Sequence, residues 1–273
     1  MAVVQSQAAI ELRDVTKRFW TPRGTYYTAV RDLTFDIPQG EFCAIVGPTG
    51  SGKSTTLSLV AGLDVPSRGE VTVLGEPVNG VSRSAGYMFQ TDAVFPWKNV
   101  VDNVATGPIY RGVSRAEAQR RARDWVARVG LAGFEDRYPY QLSGGMRKRV
   151  ALAQSLINEP RILLMDEPFA ALDVQTRTLM ENELLELWSQ TSASVVFVTH
   201  DLEEAIALAD RVLVFTAAPA TLKHAYHIDL PRPRSVTEVR FDRRFTSLYA
   251  QIWEDLRDEV VEAYERSKRG SAA

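Results

Sequence analysis

Gly47-Pro48-Thr49-Gly50-Ser51-Gly52-Lys53-Ser54 is the stretch on which the reading of this chain turns. It fits G-x-x-x-x-G-K-[ST], in which glycines let backbone N–H groups curl round a phosphate and the next helix adds the positive end of its dipole. Before it, Glu41-Phe42-Cys43-Ala44-Ile45-Val46 reads as a short buried strand. After it, Ser54-Thr55-Thr56-Leu57-Ser58-Leu59-Val60-Ala61 reads as the start of a helix. In that setting Lys53 is expected to reach the β- and γ-phosphates of a nucleoside triphosphate, with the Ser54 hydroxyl on Mg²⁺. The competing reading is a Gly-rich turn with a surface lysine, and the flanking strand and helix count against it.

The chain is long enough, at 273 residues, for one large core or two modest ones. Its 45% hydrophobic and 24% charged content is that of an ordinary globular protein. A formal charge of −2 argues against a dedicated nucleic-acid binder. The one cysteine, Cys43, lies inside the apolar run, so it reads as a small buried side chain in a reducing compartment. No apolar run approaches the ~18 residues that suggest a bilayer span, and no secretory signal opens the chain. Work at a membrane would therefore need other subunits to cross it.

Strand-like alternation covers Ile10–Asp36, broken at Thr21-Pro22-Arg23-Gly24 by an expected hairpin loop. A further strand, Glu70–Leu74, runs into a turn at Gly75-Glu76-Pro77. From about Val100 to Asn158 the pattern is helical, with Ser114-x-x-Glu117 matching a capping box and Ala118, Ala122, Trp125, Val126 and Val129 on one face. Beyond Arg161, strands and helices alternate, which predicts a parallel sheet covered by helices. Pro231-Arg232-Pro233-Arg234 reads as a linker, followed by an amphipathic helix marked by Phe245, Leu248, Ile252 and Leu256. His224 and His227 form a His-x-x-His pair without an identifiable third ligand and read as strand-edge residues.

Two further stretches carry chemistry. Arg161–Glu167 is an apolar strand ending in two carboxylates, where Asp166 can hold Mg²⁺ through its water shell and Glu167 can orient or deprotonate an attacking water. Leu142-Ser143-Gly144-Gly145-Met146 opens a helix with Ser143 as a good N-cap. It is either a merely capped helix or a second anion site, suited to a γ-phosphate brought by another subunit.

In this order, these residues resemble the ATP-binding subunits of ABC transporters over about 9–230. The resemblance implies an α/β P-loop NTPase fold: a RecA-like parallel sheet core, an N-terminal antiparallel β subdomain and a helical subdomain inserted near 91–158. Residues 231–273 would be the linker and terminal helix. Gly47–Ser54, with Thr55 after it, resembles the Walker A loop, and Ile162–Glu167 the Walker B strand. Gln90, in Tyr87-Met88-Phe89-Gln90, resembles the glutamine that contacts Mg²⁺ and faces the membrane subunits. Ser143, Gly144 and Gly145 match the signature, Asp173 in Ala171-Leu172-Asp173 the D-loop, and His200 the switch histidine near the γ-phosphate. Phe19 sits where the family stacks an aromatic ring on adenine; Tyr26 and Tyr27, beyond an inserted loop, are weaker candidates.

Phe95-Pro96-Trp97, the Met146 signature, Met165–Phe169 and Leu230–Arg234 are similar to nitrate/sulfonate/taurine importer ATPases. Lys148, where such relatives usually carry glutamine, and Gln154-Ser155, where Arg-Ala is usual, depart from that pattern. The resemblance implies an ATPase using ATP and Mg²⁺ on the inner face of a membrane. It would pair head to tail with a second copy, bind permease subunits and work indirectly with a solute-binding protein. The rival readings are an ABC-type ATPase acting on DNA or ribosomes, and a small-molecule phosphotransferase. The first usually carries a long coiled coil between phosphate loop and signature, or two sets of motifs; neither is present.

Overall fold

The computed structural model describes residues 8–22, 24–91 and 93–270; Arg23, in the expected hairpin loop, lies outside them. The described chain divides into two compact units, one holding residues up to Ser82 and from Ser194 on, the other Arg83–Ala193. The second unit is broader than the helical stretch expected near 91–158, because it also takes in two strands and a long helix.

The first unit begins with β1 (Ala8–Trp20), β2 (Tyr26–Pro38) and β3 (Phe42–Val46), then α1 (Lys53–Ala61), β4 (Arg68–Val73) and β5 (Glu76–Pro77). The second unit carries β6 (Ala85–Met88), α2 (Val100–Val104), α3 (Thr106–Tyr110), α4 (Arg115–Arg128), α5 (Gly144–Leu156), β7 (Ile162–Asp166) and α6 (Val174–Ser189). The chain then returns to the first unit with β8 (Ser194–Val198), α7 (Leu202–Leu208), β9 (Arg211–Phe215), β10 (Leu222–His227), α8 (Val236–Val239) and α9 (Arg243–Gly270).

In the first unit, β2-β1-β4-β5 form the antiparallel sheet expected from the alternating N-terminal pattern. β1 and β2 stay paired over thirteen residues each only through register shifts, and Asp14 (φ 49°) and Asp32 (φ 45°) occupy the left-handed region. Side-chain bonds hold those kinks: the Asp14 N–H donates to Thr34 Oγ1 (2.9 Å) and the Asp32 N–H to Thr16 Oγ1 (3.0 Å). The core sheet has β3 parallel to both β8 and β9, with β10 antiparallel at the edge. All five residues of β3 and of β8 are buried, as parallel strands covered on both faces require. Cys43 is among them, and burial pushes its thiol pKa well above the ordinary thiol range.

The Pro231–Arg234 stretch, expected as a linker, is fastened down through its arginines. Arg232 Nε donates to Asp210 (2.7 Å), and Arg234 donates to the Ala209 (2.6 Å) and Leu230 (2.9 Å) carbonyls. Burial lowers the Arg234 pKa to about 10. α9 buries Phe245, Ile252 and Leu256, while Leu248 is half-buried. Its Glu259 accepts from Ala217 N (2.8 Å) and Lys223 Nζ (3.0 Å). His224 stacks on Tyr226 at the β10 edge, and among the described residues no group of His, Cys, Asp and Glu is arranged to hold a metal. No helix among them is long and apolar enough to cross a membrane.

In the second unit, β6 and β7 pair in parallel. Ala118, Ala122, Val126 and Val129 of the α4 segment are buried, and Trp125 is half-buried. The capping box at its start forms only in half: Ser114 accepts from Glu117 N (3.4 Å), but the Glu117 carboxylate turns to Arg120 (2.9 Å) and Arg121 (2.7 Å). Those hydrogen bonds hold its carboxyl pKa down at about 2. Two guanidinium groups on the same helical turn outcompete a single backbone N–H for the carboxylate.

Candidate nucleotide site

Each unit carries part of its candidate residues where parallel strands end. In the first, β3 and β8 run side by side and their C-terminal ends release, respectively, the phosphate loop and Thr199-His200-Asp201. In open α/β sheets this edge is where ligands bind.

The phosphate loop is built by glycine chemistry. Gly52 has φ +79°, and a Cβ there would come within 2.7 Å of Val30 Cγ1 and 2.9 Å of the Ala29 carbonyl. No other residue meets both demands. Gly47, Pro48, Thr49, Gly50 and Ser51 precede it, and α1 starts at Lys53 with Ser54 exposed and Thr55 half-buried. Lys53 is only 5% exposed, and its Nζ donates to the carbonyls of Gly47 (2.8 Å) and Pro48 (3.0 Å). The Ser51 hydroxyl is buried without a hydrogen-bond partner. An orphaned donor inside a Gly-rich loop at a helix start suits an anion's oxygen.

His200 is exposed, but its backbone is pinned on both sides. Thr199 Oγ1 accepts from Asp201 N (3.0 Å) and donates to the buried Glu204 Oε2 (2.5 Å). Asp201 caps α7 by accepting from Glu203 N (2.9 Å) and Glu204 N (3.3 Å). Phe19, at the turn end of the β1–β2 hairpin, is 38% exposed and has the Lys17 ammonium 4.9 Å from its ring centre. Tyr27, a weaker candidate on sequence, is the direct cross-strand partner of Phe19, and its hydroxyl donates to the Gly50 carbonyl at 3.5 Å. The hairpin returns it to the same sheet face as Phe19, which linear distance along the chain hid.

In the second unit, Asp166 ends β7 with 9% exposure and Glu167 follows in the left-handed region, φ 44°. Such a backbone in a non-glycine residue costs about 1–3 kcal/mol and persists where the surroundings impose it. Gln90, leaving the end of the neighbouring β6, donates through Nε2 to Glu167 Oε2 at 3.1 Å. Ser143 caps α5 by accepting from Met146 N (3.3 Å). Asp173 caps α6 by accepting from Thr176 N (3.0 Å), a bond that holds its carboxyl below the usual carboxylate range. Gly144 and Gly145 open α5, and a Cβ on Gly145 would lie 2.8 Å from Thr176 Cγ2. The starts of α5 and α6 therefore touch. Sequence reasoning did not find Lys148, whose Nζ donates to the Gln90 carbonyl at 2.7 Å; its departure from the expected glutamine was the available signal.

Comparison with known proteins shows the family. The ABC transporter family model matches residues 30–170. An "uncharacterized ABC transporter ATP-binding protein" of Methanocaldococcus jannaschii is 42% identical, over 93% of each chain. The nitrate import ATP-binding protein of a Synechocystis strain is 42% identical, over 81% of this chain and 83% of that one. The aliphatic sulfonates import ATP-binding protein of Bacillus anthracis is 37% identical, over 89% and 95%. Among solved structures, the dimeric post-hydrolysis state of an ATP-binding cassette bound to ADP and Pi superposes with a TM-score of 0.73. It is 30% identical and covers 81% of this chain and all of its own. By the family model and by relatives of 37–42% identity over most of its length, the chain belongs to the ABC transporter family and is one of its ATPases.

Proposed function

We propose that this ATPase energises an importer of a small anion or organic solute of the nitrate, sulfonate or taurine kind, with the permease and a solute-binding protein as its partners. The observation that carries the reading is the start of α5. Ser143 is exposed on a capped, thirteen-residue helix whose N-terminal dipole end favours an anion. A phosphotransferase that completes its site within one chain has no use for it. In a head-to-tail dimer it meets the γ-phosphate held by the other copy.

The loop N–H groups and Lys53 take up charge on the β- and γ-phosphates, Phe19 stacks on adenine, and Glu167 polarises the attacking water with His200 and Gln90 orienting it. Asp173 lies at the dimer contact beside the signature. Ser54, Asp166 and Gln90 offer hydroxyl, carboxylate and amide oxygens, the hard donors Mg²⁺ takes. When bound, the ion supplies neutralising charge to the β- and γ-oxygens. Closure on ATP and reopening after hydrolysis would switch the permease between its two faces. A cavity of about 320 Å³ bordered by Phe89, Phe95 and Gln154, close in sequence to Gln90, offers a surface for a permease segment.

Purification from membranes tests the partners. The expected result is co-purification with a permease and a solute-binding protein that takes up an anionic solute. Recovery without membrane subunits, with ATPase activity stimulated by DNA or ribosomes, would overturn the import reading. Ser143→Arg tests the shared site. A cation at the positive end of a helix opposes its dipole and fills the space for the partner's phosphate. ATP affinity of the monomer is expected to stay within about threefold, while ATP-dependent dimerisation and turnover fall by at least about tenfold. Full-rate hydrolysis by this variant would sink the shared-site model.

A further inference from the structure

We propose that Lys148 is a positioning residue, carrying displacement of the signature helix to the Gln90–Glu167 pair. The proposal rests on the reading of Glu167 as the group that polarises water.

Lys148 lies on α5, five residues beyond the Ser143 cap, and is only 3% exposed. Burying an ammonium is costly unless charge-assisted hydrogen bonds replace its water. Its Nζ donates to the main-chain carbonyl of Gln90 at 2.7 Å, the short range expected of a charged donor. The Gln90 side chain donates in turn to Glu167 Oε2 at 3.1 Å. Two bonds therefore lead from the signature helix, through one loop residue, to the carboxylate.

A second, weaker contact lies on the same face of α5. Ser155 stands two helical turns beyond Lys148. Its hydroxyl is 2.9 Å from the Ala151 carbonyl and 3.4 Å from the Tyr87 carbonyl at the end of β6. A hydroxyl has one proton to give, and the Ala151 carbonyl is the nearer acceptor, so Ser155 lies against the Tyr87 carbonyl while Lys148 makes the bond that ties α5 to the loop. Both contacts use residues at which this chain departs from the pattern of its resemblance: lysine for glutamine, and serine for alanine. The lysine stem has four carbons, so it spans to the Gln90 carbonyl with a charge that glutamine lacks. Because α5 is one continuous helix, an anion that shifts its N-terminus moves Lys148 with it, and the angle at which Gln90 meets Glu167 follows.

The test uses the full-length protein: kcat and KM for ATP, with thermal midpoints, for wild type, Lys148→Met, Lys148→Gln and Glu167→Gln. Met keeps the volume and removes the donor. Its kcat is expected to fall about tenfold with KM within about twofold, the size of one charge-assisted bond lost after binding. Gln keeps a shorter donor and is expected about two- to threefold below wild type at unchanged KM. A merely packing role would move the thermal midpoint and KM and would not rank the variants by donor. Wild-type kcat in Lys148→Met, or equal losses in both variants, would overturn the proposal. If the Met variant does not fold, Lys148→Gln decides alone, and wild-type kcat or a changed KM overturns it. Glu167→Gln separates the two claims. Full turnover there removes the reading of Glu167, whereas a dead Glu167→Gln beside an unslowed Lys148→Met removes only the role of Lys148.

Discussion

Glu167→Gln is expected to stop turnover while nucleotide binding survives. The amide is nearly isosteric with the carboxylate and can still meet the Gln90 amide, now 3.1 Å away, through its carbonyl oxygen. The left-handed backbone at φ 44° does not depend on the charge. Asp166 and the phosphate loop are unaltered, so ATP should bind with near-normal affinity. What disappears is the negative acceptor for a proton of the attacking water, an effect of about 10²–10⁴ in rate. Binding without hydrolysis should trap the closed state, so size-exclusion chromatography with ATP and Mg²⁺ should show a dimer where wild type runs mostly as monomer. Phosphate release measures the rate. Hydrolysis within a few-fold of wild type would remove Glu167 from the chemistry and move attention to His200.

Lys53→Ala is expected to fail one step earlier, at binding. The ammonium is buried and points into the loop, held by the Gly47 and Pro48 carbonyls at 2.8 and 3.0 Å. Removing it deletes the one positive side chain of the loop and leaves two inward carbonyls facing any phosphate. Hydrogen bonds to charged groups contribute about 1.5–3 kcal/mol each, so affinity for ATP should fall by about 10²-fold. Titration with a fluorescent nucleotide analogue measures this, and a thermal melt controls for folding. A dissociation constant within about threefold of wild type would refute the phosphate-loop assignment. The two variants are complementary: one binds and does not turn over, the other turns over little because it does not bind.

The legible part of this protein was local. A strand, a Gly-rich loop and a helix start are contiguous along the chain, and Gly52 is needed for a backbone angle and a close approach that only glycine allows. Asp166-Glu167 at a strand end and Ser143 at a helix start could likewise be read in place, because strand ends and N-caps are set by neighbouring residues. The N-terminal alternation predicted the antiparallel sheet, and the buried runs from Ile162 on predicted parallel strands, for the same reason.

What the tertiary structure decided is which of several possible partners a side chain takes. Glu117 satisfies a capping pattern on paper, yet two arginines one turn away compete for it, and only geometry shows that they win. Tyr27 reads as a weaker candidate than Phe19 because a loop separates the two, but the hairpin makes them direct neighbours and brings the tyrosine hydroxyl to Gly50. Pro231–Arg234 has the composition of a linker, and the carbonyls that pin its arginines come from the α7–β9 junction and from Leu230. In the sequence Lys148 is only a departure from the usual glutamine. It is buried, and it grips Gln90 from 58 residues away. Sequence alone determined which backbone segments can cradle a phosphate or end in a carboxylate, since those depend on adjacent residues. Which side chains orient those groups was decided only when folding brought distant donors and acceptors within about 3 Å, where the hydrogen bond is strong.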